Sequence, residues 1–363
     1  FTDAFKYAMQ KRQKISERKE VPPMKKKNAL VQVKEIAQKS GVSQSTASIV
    51  LNGRGDQMRI SKATQQKVWE TARSMNYRPK THDEDAGNFG AGIKRICILW
   101  NSKLTDDTMG RFFSGVANTI KKNKLHLETS LALFDEGKLS VFKDAFISGR
   151  YDGVFITSPA DEDIKFLDSI EPNETQIVFI NRNSTRYSCV YVDNVDVGKH
   201  CADLFFSRNY HSVGVIGSTK SRSPAIRRFG FLQECQRLGI TCKKEWIQES
   251  PGDSISDGYR SGKQLLSQAE LPEGLFILND LQAVGVMIAL KESGVDIPNQ
   301  IKVLAYGSND LFDLMTPKVA SVDIVREVMA EHAITLLMTK LENNITYPIS
   351  RVVVPEYKLE GSF

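Results

Sequence analysis

Residues 33–53 read VKEIAQKSGVSQSTASIVLNG, and their spacing decides the fold of the N-terminal part of the chain. Val33, Ile36 and Ala37 recur at helical spacing, and Gly41 stands where a left-handed residue closes a helix. Ser43 follows at an N-cap position, ahead of a second short helix with Ala47, Val50 and Leu51 on one face. Asn52-Gly53-Arg54-Gly55 then breaks the chain. Ser61 opens a third helix whose apolar stripe is Val68, Trp69, Ala72 and Met75. Arg78-Pro79 ends it, because a residue before proline is pushed out of the α region. Three short helices with a tight glycine turn between the first two predict a helix-turn-helix module over residues 29–80.

On the N-terminal side, residues 1–28 are polar and basic and end in Pro22-Pro23-Met24-Lys25-Lys26-Lys27. Nothing apolar and periodic is there to pack, which predicts a disordered basic segment; a basic arm lying on DNA is the alternative. On the C-terminal side, residues 81–92 (THDEDAGNFGAG) are acidic and glycine-rich. They precede a strand and lack the Lys-Ser/Thr of a phosphate-cradling loop, so they read as a linker.

From residue 93 the pattern alternates. Short β-rich apolar runs begin at Arg95–Trp100, Leu125–Leu133, Gly153–Thr157, Ile177–Asn181, Val213–Gly217, Leu275–Leu278 and Val303–Tyr306, with helical or polar segments between them. Such alternation predicts parallel sheets with crossover helices, an α/β class. The stretch 93–363 is long for one sheet, so two Rossmann-type lobes are expected. Their limits are drawn at approximately 93–208 with 323–350, and 209–322 with 351–363. Ligands settle at the carboxyl ends of parallel strands, so a cleft between the lobes is the natural effector site.

Composition narrows the function classes. The 363 residues are 41% hydrophobic and 25% charged, with no apolar run long enough to span a membrane. No secretory signal pattern stands at the N-terminus, and a cytoplasmic protein is expected. The five cysteines (Cys97, Cys189, Cys201, Cys235, Cys242) contain no C-x-x-C pair, and no histidine has a partner at metal-ligand spacing. Neither a metal nor another cofactor is expected. Leu99 to Lys103, after the first strand, contains no glycine, so the dinucleotide fingerprint is missing. Nor is there a nucleophile elbow, and an enzyme is not expected. Net charge is +6 overall, yet residues 1–80 carry 18 Lys and Arg against 6 Asp and Glu, leaving the rest at −6. A basic head on a mildly acidic body suits a polyanion partner.

The run Val33–Gly53, with Ile60-Ser61 and Asn76-Tyr77-Arg78-Pro79, resembles the headpiece of the lactose/galactose-repressor family. Weaker matches follow in order: Tyr151 to Ile156, Val192-Asp193-Asn194 with Gly198, Arg227 to Phe231, Asn279-Asp280 with Ala283 and Gly285, and Val303 to Tyr306. The resemblance implies a transcriptional regulator, a repressor, that binds a two-fold operator in double-stranded DNA as a homodimer. It also implies a two-lobed, periplasmic-binding-protein-like body holding a small-molecule effector, a carbohydrate or derivative. By match to the family pattern, Gln44, Ser45 and Ile49 face bases, while Ser43, Thr46, Ser48, Asn52 and Tyr77 contact phosphates. In the body, Arg227, Asn279, Asp280, Asp193, Ser254 and Gly307 match effector-pocket positions. Helix capping is the competing role for Asp193 and Asp280.

Three departures stand out. Isoleucine at 49 offers only apolar contact, best matched by a thymine methyl, which predicts an A·T pair there. Asp83, Glu84 and Asp85 occupy the region where the family places a hinge helix with leucines wedged into the minor groove, so no hinge helix is expected. Gly252-Asp253-Ser254 stands where the family often has an aromatic platform, and Tyr306-Gly307-Ser308 where it has an aspartate. Those losses leave two alternatives open: an effector that is not a plain sugar, or a vestigial pocket in a DNA-binding dimer. A solute-binding protein fits the body but not the headpiece.

Overall fold

The computed structural model describes residues 33–51, 55, 58–75, 93–104, 106–170 and 175–363. The segments expected at 1–28 and 81–92, including the hinge region, lie outside the described residues. The chain divides into two units, Phe1–Gly87 and Asn88–Phe363.

The first unit contains α1 (Val33–Ser40), α2 (Gln44–Leu51) and α3 (Lys62–Ser74). Gly41 has φ 67°, and the Val42 N–H returns to the Ala37 carbonyl at 3.0 Å, a glycine-closed helix end. Ser43 Oγ accepts from the Thr46 N–H at 3.0 Å, and Ser61 Oγ accepts from the Thr64 N–H at 3.2 Å. These caps satisfy donors that each helix start would otherwise leave open. Ile36, Ala37, Ala47, Val50, Leu51, Val68 and Ala72 form the core, rimmed by Trp69 and Met75. Each larger aliphatic side chain buried there contributes about 1.5–3 kcal/mol.

In the second unit, β1 (Lys94–Asn101), β2 (Leu127–Phe134), β3 (Gly153–Thr157), β4 (Gln176–Ile180) and β5 (Ser188–Tyr191) build one sheet with α4 (Asp106–Lys122), α5 (Lys143–Ile147) and α6 (Asp161–Asp168). After α7 (Asn194–Ser207), a second sheet takes β6 (Val213–Gly217), β7 (Ile247–Glu249), β8 (Gly274–Ile277), β9 (Lys302–Tyr306) and β10 (Ala320–Asp323). Its helices are α8 (Arg222–Leu238), α9 (Ile255–Leu266), α10 (Asp280–Glu292) and α11 (Leu311–Leu314). The chain then runs through α12 (Arg326–Glu342), β11 (Ser350–Val352) and β12 (Glu356–Lys358). The six-stranded orders are β11-β5-β4-β3-β1-β2 and β12-β10-β9-β8-β6-β7. Pairing is parallel throughout except between β10 and β12. Strands covered on both faces read as continuous apolar runs, as β3 and β8 do.

Two expectations about the lobes are corrected. The first lobe does not extend through residue 208, because α7 packs on the second sheet. Its Phe205 ring lies against Gly274, where an added Cβ would meet it at 2.3 Å, and stacks edge-on with Phe231 and Phe363. Conversely, α12 returns to the first lobe, with Leu337 against Gly153 and Glu327 and Ala330 against Gly115. Nor does the second lobe begin again at 351, since Ser350–Val352 pairs with β5 and only β12 joins the second sheet. An amphipathic stripe says that a helix is covered, not by which sheet. The chain therefore changes lobes before α7, before α12 and between β11 and β12.

Candidate functional site

Two places gather the residues singled out from the sequence. In the first unit, Ala47, Val50 and Leu51 turn one face of α2 into the core, which leaves Ser45 and Ile49, one turn apart, on the opposite face. Gln44 and Ser45 are exposed, and Ser48 and Ile49 are half-buried. Ser43 Oγ lies 2.9 Å from Ser45 Oγ and 2.8 Å from Thr46 Oγ1, a hydroxyl cluster at the helix start. Hydroxyls and free N–H groups at a helix N-terminus suit a phosphate oxygen. Asn52 and Tyr77 lie outside the described residues, as do Arg54, Asp56 and Gln57 of the loop from Arg54 to Arg59.

In the second unit, the carboxyl ends of both sheets line one cleft of about 840 Å³. Its wall includes Asp193, Arg227, Asn279, Asp280 and Gly307, but not Ser254. Ser254 instead caps α9, accepting from the Asp257 N–H at 3.1 Å while its own N–H and hydroxyl donate to the Asp257 carboxylate. The neighbouring Gly252 and Asp253 are the residues of that turn that line the cleft.

The remaining residues divide between capping and the wall itself. Asp193 caps α7, accepting from the Val195 and Asp196 N–H groups at 3.0 and 3.2 Å. Asn279 caps α10 in the same way. Arg227 is fully buried, 2% exposed, and its Nε and Nη2 both donate to Asn194 Oδ1, at 3.2 and 2.7 Å. Its Nη1 donates to the Leu278 carbonyl at 2.6 Å, and its guanidinium lies over the Tyr306 ring. Burial pulls the Arg227 guanidinium below its usual pKa, against the opposite pull of Tyr306, Cys201 and Asp280. Asn194, one residue past the expected Asp193, is thus its direct partner. Asp280 Oδ2 lies 3.8 Å from Arg326 Nη2. Gly307 has φ 104°, and a Cβ there would meet the Asp280 side chain at 2.9 Å, so glycine keeps both the turn and the space.

The sequence reading missed Trp100, Asn181 and Arg326, which also line the cleft. Trp100 and Asn181 stand at the carboxyl ends of β1 and β4, the place where the strand rule puts ligand contacts. Trp100 Nε1, Asn181 Oδ1, and Arg326 Nε and Nη1 are buried without a hydrogen-bond partner. Nor does the expected loss of aromatic and acidic groups hold for the cleft as a whole. Trp100, Phe229 and Tyr306 line it, together with Asp253 and Asp280. Burial, reinforced by Asp257 and Asp280, pushes the Asp253 carboxyl up from its ordinary value. Among the described residues no group of His, Cys, Asp and Glu could hold a metal, and no helix is long and apolar enough to cross a membrane.

Two family models match the chain: bacterial regulatory proteins, lacI family, over residues 32–80, and a periplasmic binding protein-like domain over residues 202–362. The probable HTH-type transcriptional repressor ExuR of Bacillus subtilis (strain 168) is 24% identical over 297 residues, 81% of this chain and 86% of that repressor. A LacI family transcription regulator from Clostridium acetobutylicum has a TM-score of 0.68 at 27% identity, covering 73% of this chain and 98% of its own. The lac repressor dimer bound to operator and the anti-inducer ONPF has a TM-score of 0.61 at 16% identity, covering 91% of this chain and 99% of its own, a likeness of fold.

Proposed function

This chain belongs to the lacI family of bacterial regulatory proteins, and from that premise we propose that it is a cytoplasmic, sequence-specific DNA-binding transcriptional repressor. It acts as a homodimer on a two-fold operator, and a small molecule in the interlobe cleft sets its affinity for DNA. One headpiece reads only a half-site, so a two-fold site calls for two copies. The observation that carries the reading is the exposure of Gln44 and Ser45 at the start of α2, on a helix whose other face forms the core. Gln44 supplies both a donor and an acceptor and can address adenine bidentately. Ser45 and Ile49 complete the base-facing set, and Ser43, Thr46, Ser48, Asn52 and Tyr77 hold phosphates and set the register.

Effector control follows from how the cleft is tied to the crossovers. Asn194 begins α7 and Arg326 begins α12, each just after the chain changes lobe. Arg227 of α8 bonds the first, and Asp280 of α10 pairs with the second. A ligand held by these side chains together with Trp100 and Asn181 touches both lobes and two of the three crossovers, so it favours one closure angle over others. Of the matched positions, Arg227, Asp280 and Asn279 are assigned to the effector wall. Asp193 and Gly307 support it, and Ser254 is assigned to capping.

Selection from a random duplex library at fixed salt tests the reading. The expected product is a two-fold consensus enriched well above background; recovery of unrelated sequences with salt-sensitive affinity alone would contradict it.

A further inference from the structure

Resting on that reading of the cleft, we propose that the effector carries an anionic group: it is a carboxylate- or phosphate-bearing polyol of about monosaccharide size. The wall holds six cationic side chains, Lys103, Arg182, Lys220, Arg222, Arg227 and Arg326, against four carboxylates, Glu136, Asp193, Asp253 and Asp280. Several are already committed. Lys103 pairs with Glu136, Arg182 pairs with Asp161 beyond the wall, and Asp193 caps α7. Lys220 donates to the Pro251 carbonyl, a neutral partner. Arg222 and Asp253 are exposed. That leaves two buried guanidinium groups, Arg227 and Arg326, around the one buried carboxylate of the wall, Asp280.

Asp280 cannot neutralise both. Its Oδ1 accepts from the Leu281 N–H at 2.9 Å, and its Oδ2 stands 3.8 Å from Arg326 Nη2. Arg227 meets no carboxylate at ion-pair distance among the described residues; its three hydrogen bonds end on an amide oxygen and a backbone carbonyl. Arg326 Nε and Nη1 are buried and have no acceptor at all. A buried cation without a counter-charge is costly, and guanidinium is the side chain best shaped to take a carboxylate or phosphate in a fork. On the same wall, Trp100 Nε1 is a donor and Asn181 Oδ1 an acceptor without a partner, and each suits a hydroxyl. The cleft's 840 Å³ is of the size that encloses a small ligand.

The test is titration calorimetry on the full chain at fixed ionic strength, with matched triads in the gluco and galacto series. Each triad consists of the hexose, its uronate and its 6-phosphate, and inorganic phosphate serves as the control. Within at least one triad a charged member should bind about tenfold or more tightly than the neutral hexose, and raising salt should narrow the gap. Which charged member wins separates carboxylate from phosphate. Arg326→Gln, checked by its melting curve, should collapse the preference. A neutral hexose bound as tightly as its charged relatives, inorganic phosphate bound as tightly as the sugar phosphate, or no member bound below about 10 mM would each overturn the proposal. Operator binding by the same preparation distinguishes the failures. With it intact, only the ligand class is wrong; without it, the regulator reading fails.

Discussion

Replacing Gly198 by alanine tests how the buried wall of the cleft is held. Gly198 lies on α7 where that helix crosses α8, and an added Cβ would sit 2.2 Å from the Arg227 carbonyl oxygen and 2.7 Å from the Phe231 nitrogen. On the facing helix, a Cβ at Gly230 would sit 2.3 Å from the Val195 carbonyl oxygen. Backbone is the obstacle in each case, so no side chain can swing aside. Since ordinary contact begins at 3.4 Å, the helices must part by about 1 Å. Overpacking of this kind costs roughly 3 kcal/mol. Alanine gains about 1 kcal/mol over glycine in a helix interior. Parting the helices also lengthens the Arg227–Asn194 bonds, now 2.7 and 3.2 Å, because the two residues stand on opposite helices. Weakening them takes away about 1 kcal/mol more. The net is a loss of about 3 kcal/mol, read as a fall in the urea midpoint of the body. Gly110→Ala is the control, since this exposed position on α4 has nothing within 4 Å of an added Cβ. It should gain up to about 1 kcal/mol. If Gly198→Ala is as stable as the parent, close helix contact is not what positions Arg227, and the reasoning fails.

Other consequences can be checked independently. Arg227→Met removes a buried cation but strands Asn194 Oδ1 and the Leu278 carbonyl, terms of opposite sign. Its urea midpoint should therefore move by no more than about 2 kcal/mol while calorimetry shows cleft binding lost. Asp323 is pushed up by burial but held below the usual carboxylate range overall by Lys358, the Val325 N–H and Arg111. Its stabilisation is thus present above the unfolded-state pKa and is lost as pH falls through the depressed folded value. Asp323→Asn should accordingly lower the urea midpoint most near neutral pH, with the gap closing on acidification; a gap that widens in acid would contradict the sign. At the base pair facing Ile49, selected sites should carry A·T, and a strong G·C preference there would defeat the thymine-methyl contact. Val50→Ala, which truncates a buried core side chain of the headpiece, should cost roughly 1–3 kcal/mol and weaken DNA binding without changing the melting of the body.

The three-helix head was open to reading because its signals are local. Gly41, Ser43 and Ser61 act within a turn of where they stand, and the apolar spacing of Ile36, Ala37, Ala47, Val50, Leu51 and Val68 shows directly in the chain. In the body, strands covered on both faces announced themselves as apolar runs. Ser188–Tyr191, Ile247–Glu249, Ala320–Asp323 and Ser350–Val352 did not, being only three or four residues long. The lobe assignment of α7 was not legible either, because Phe205 finds Gly274 only through the tertiary fold.

At the cleft, residue type and neighbourhood pointed to the right turns but not always to the right side chain. Asn194 rather than Asp193 bonds Arg227, and Asp253 rather than Ser254 lines the wall. In each pair one residue is taken up by a helix cap, and which one depends on where the helix begins to within a residue. Arg326 was missed although a lobe limit was drawn beside it at 323, because nothing in its local sequence shows that its side chain lines the cleft.

The most direct test of the central claim is to run the duplex selection side by side with the parent chain and with Gln44→Ala. The account predicts a two-fold consensus for the parent. For the variant, it predicts loss of preference at one symmetry-related base pair in each half-site, a drop of about 1–3 kcal/mol in discrimination there, with the rest of the consensus unchanged. An identical consensus from both chains, or enrichment in neither, would show that α2 does not read bases and would contradict it.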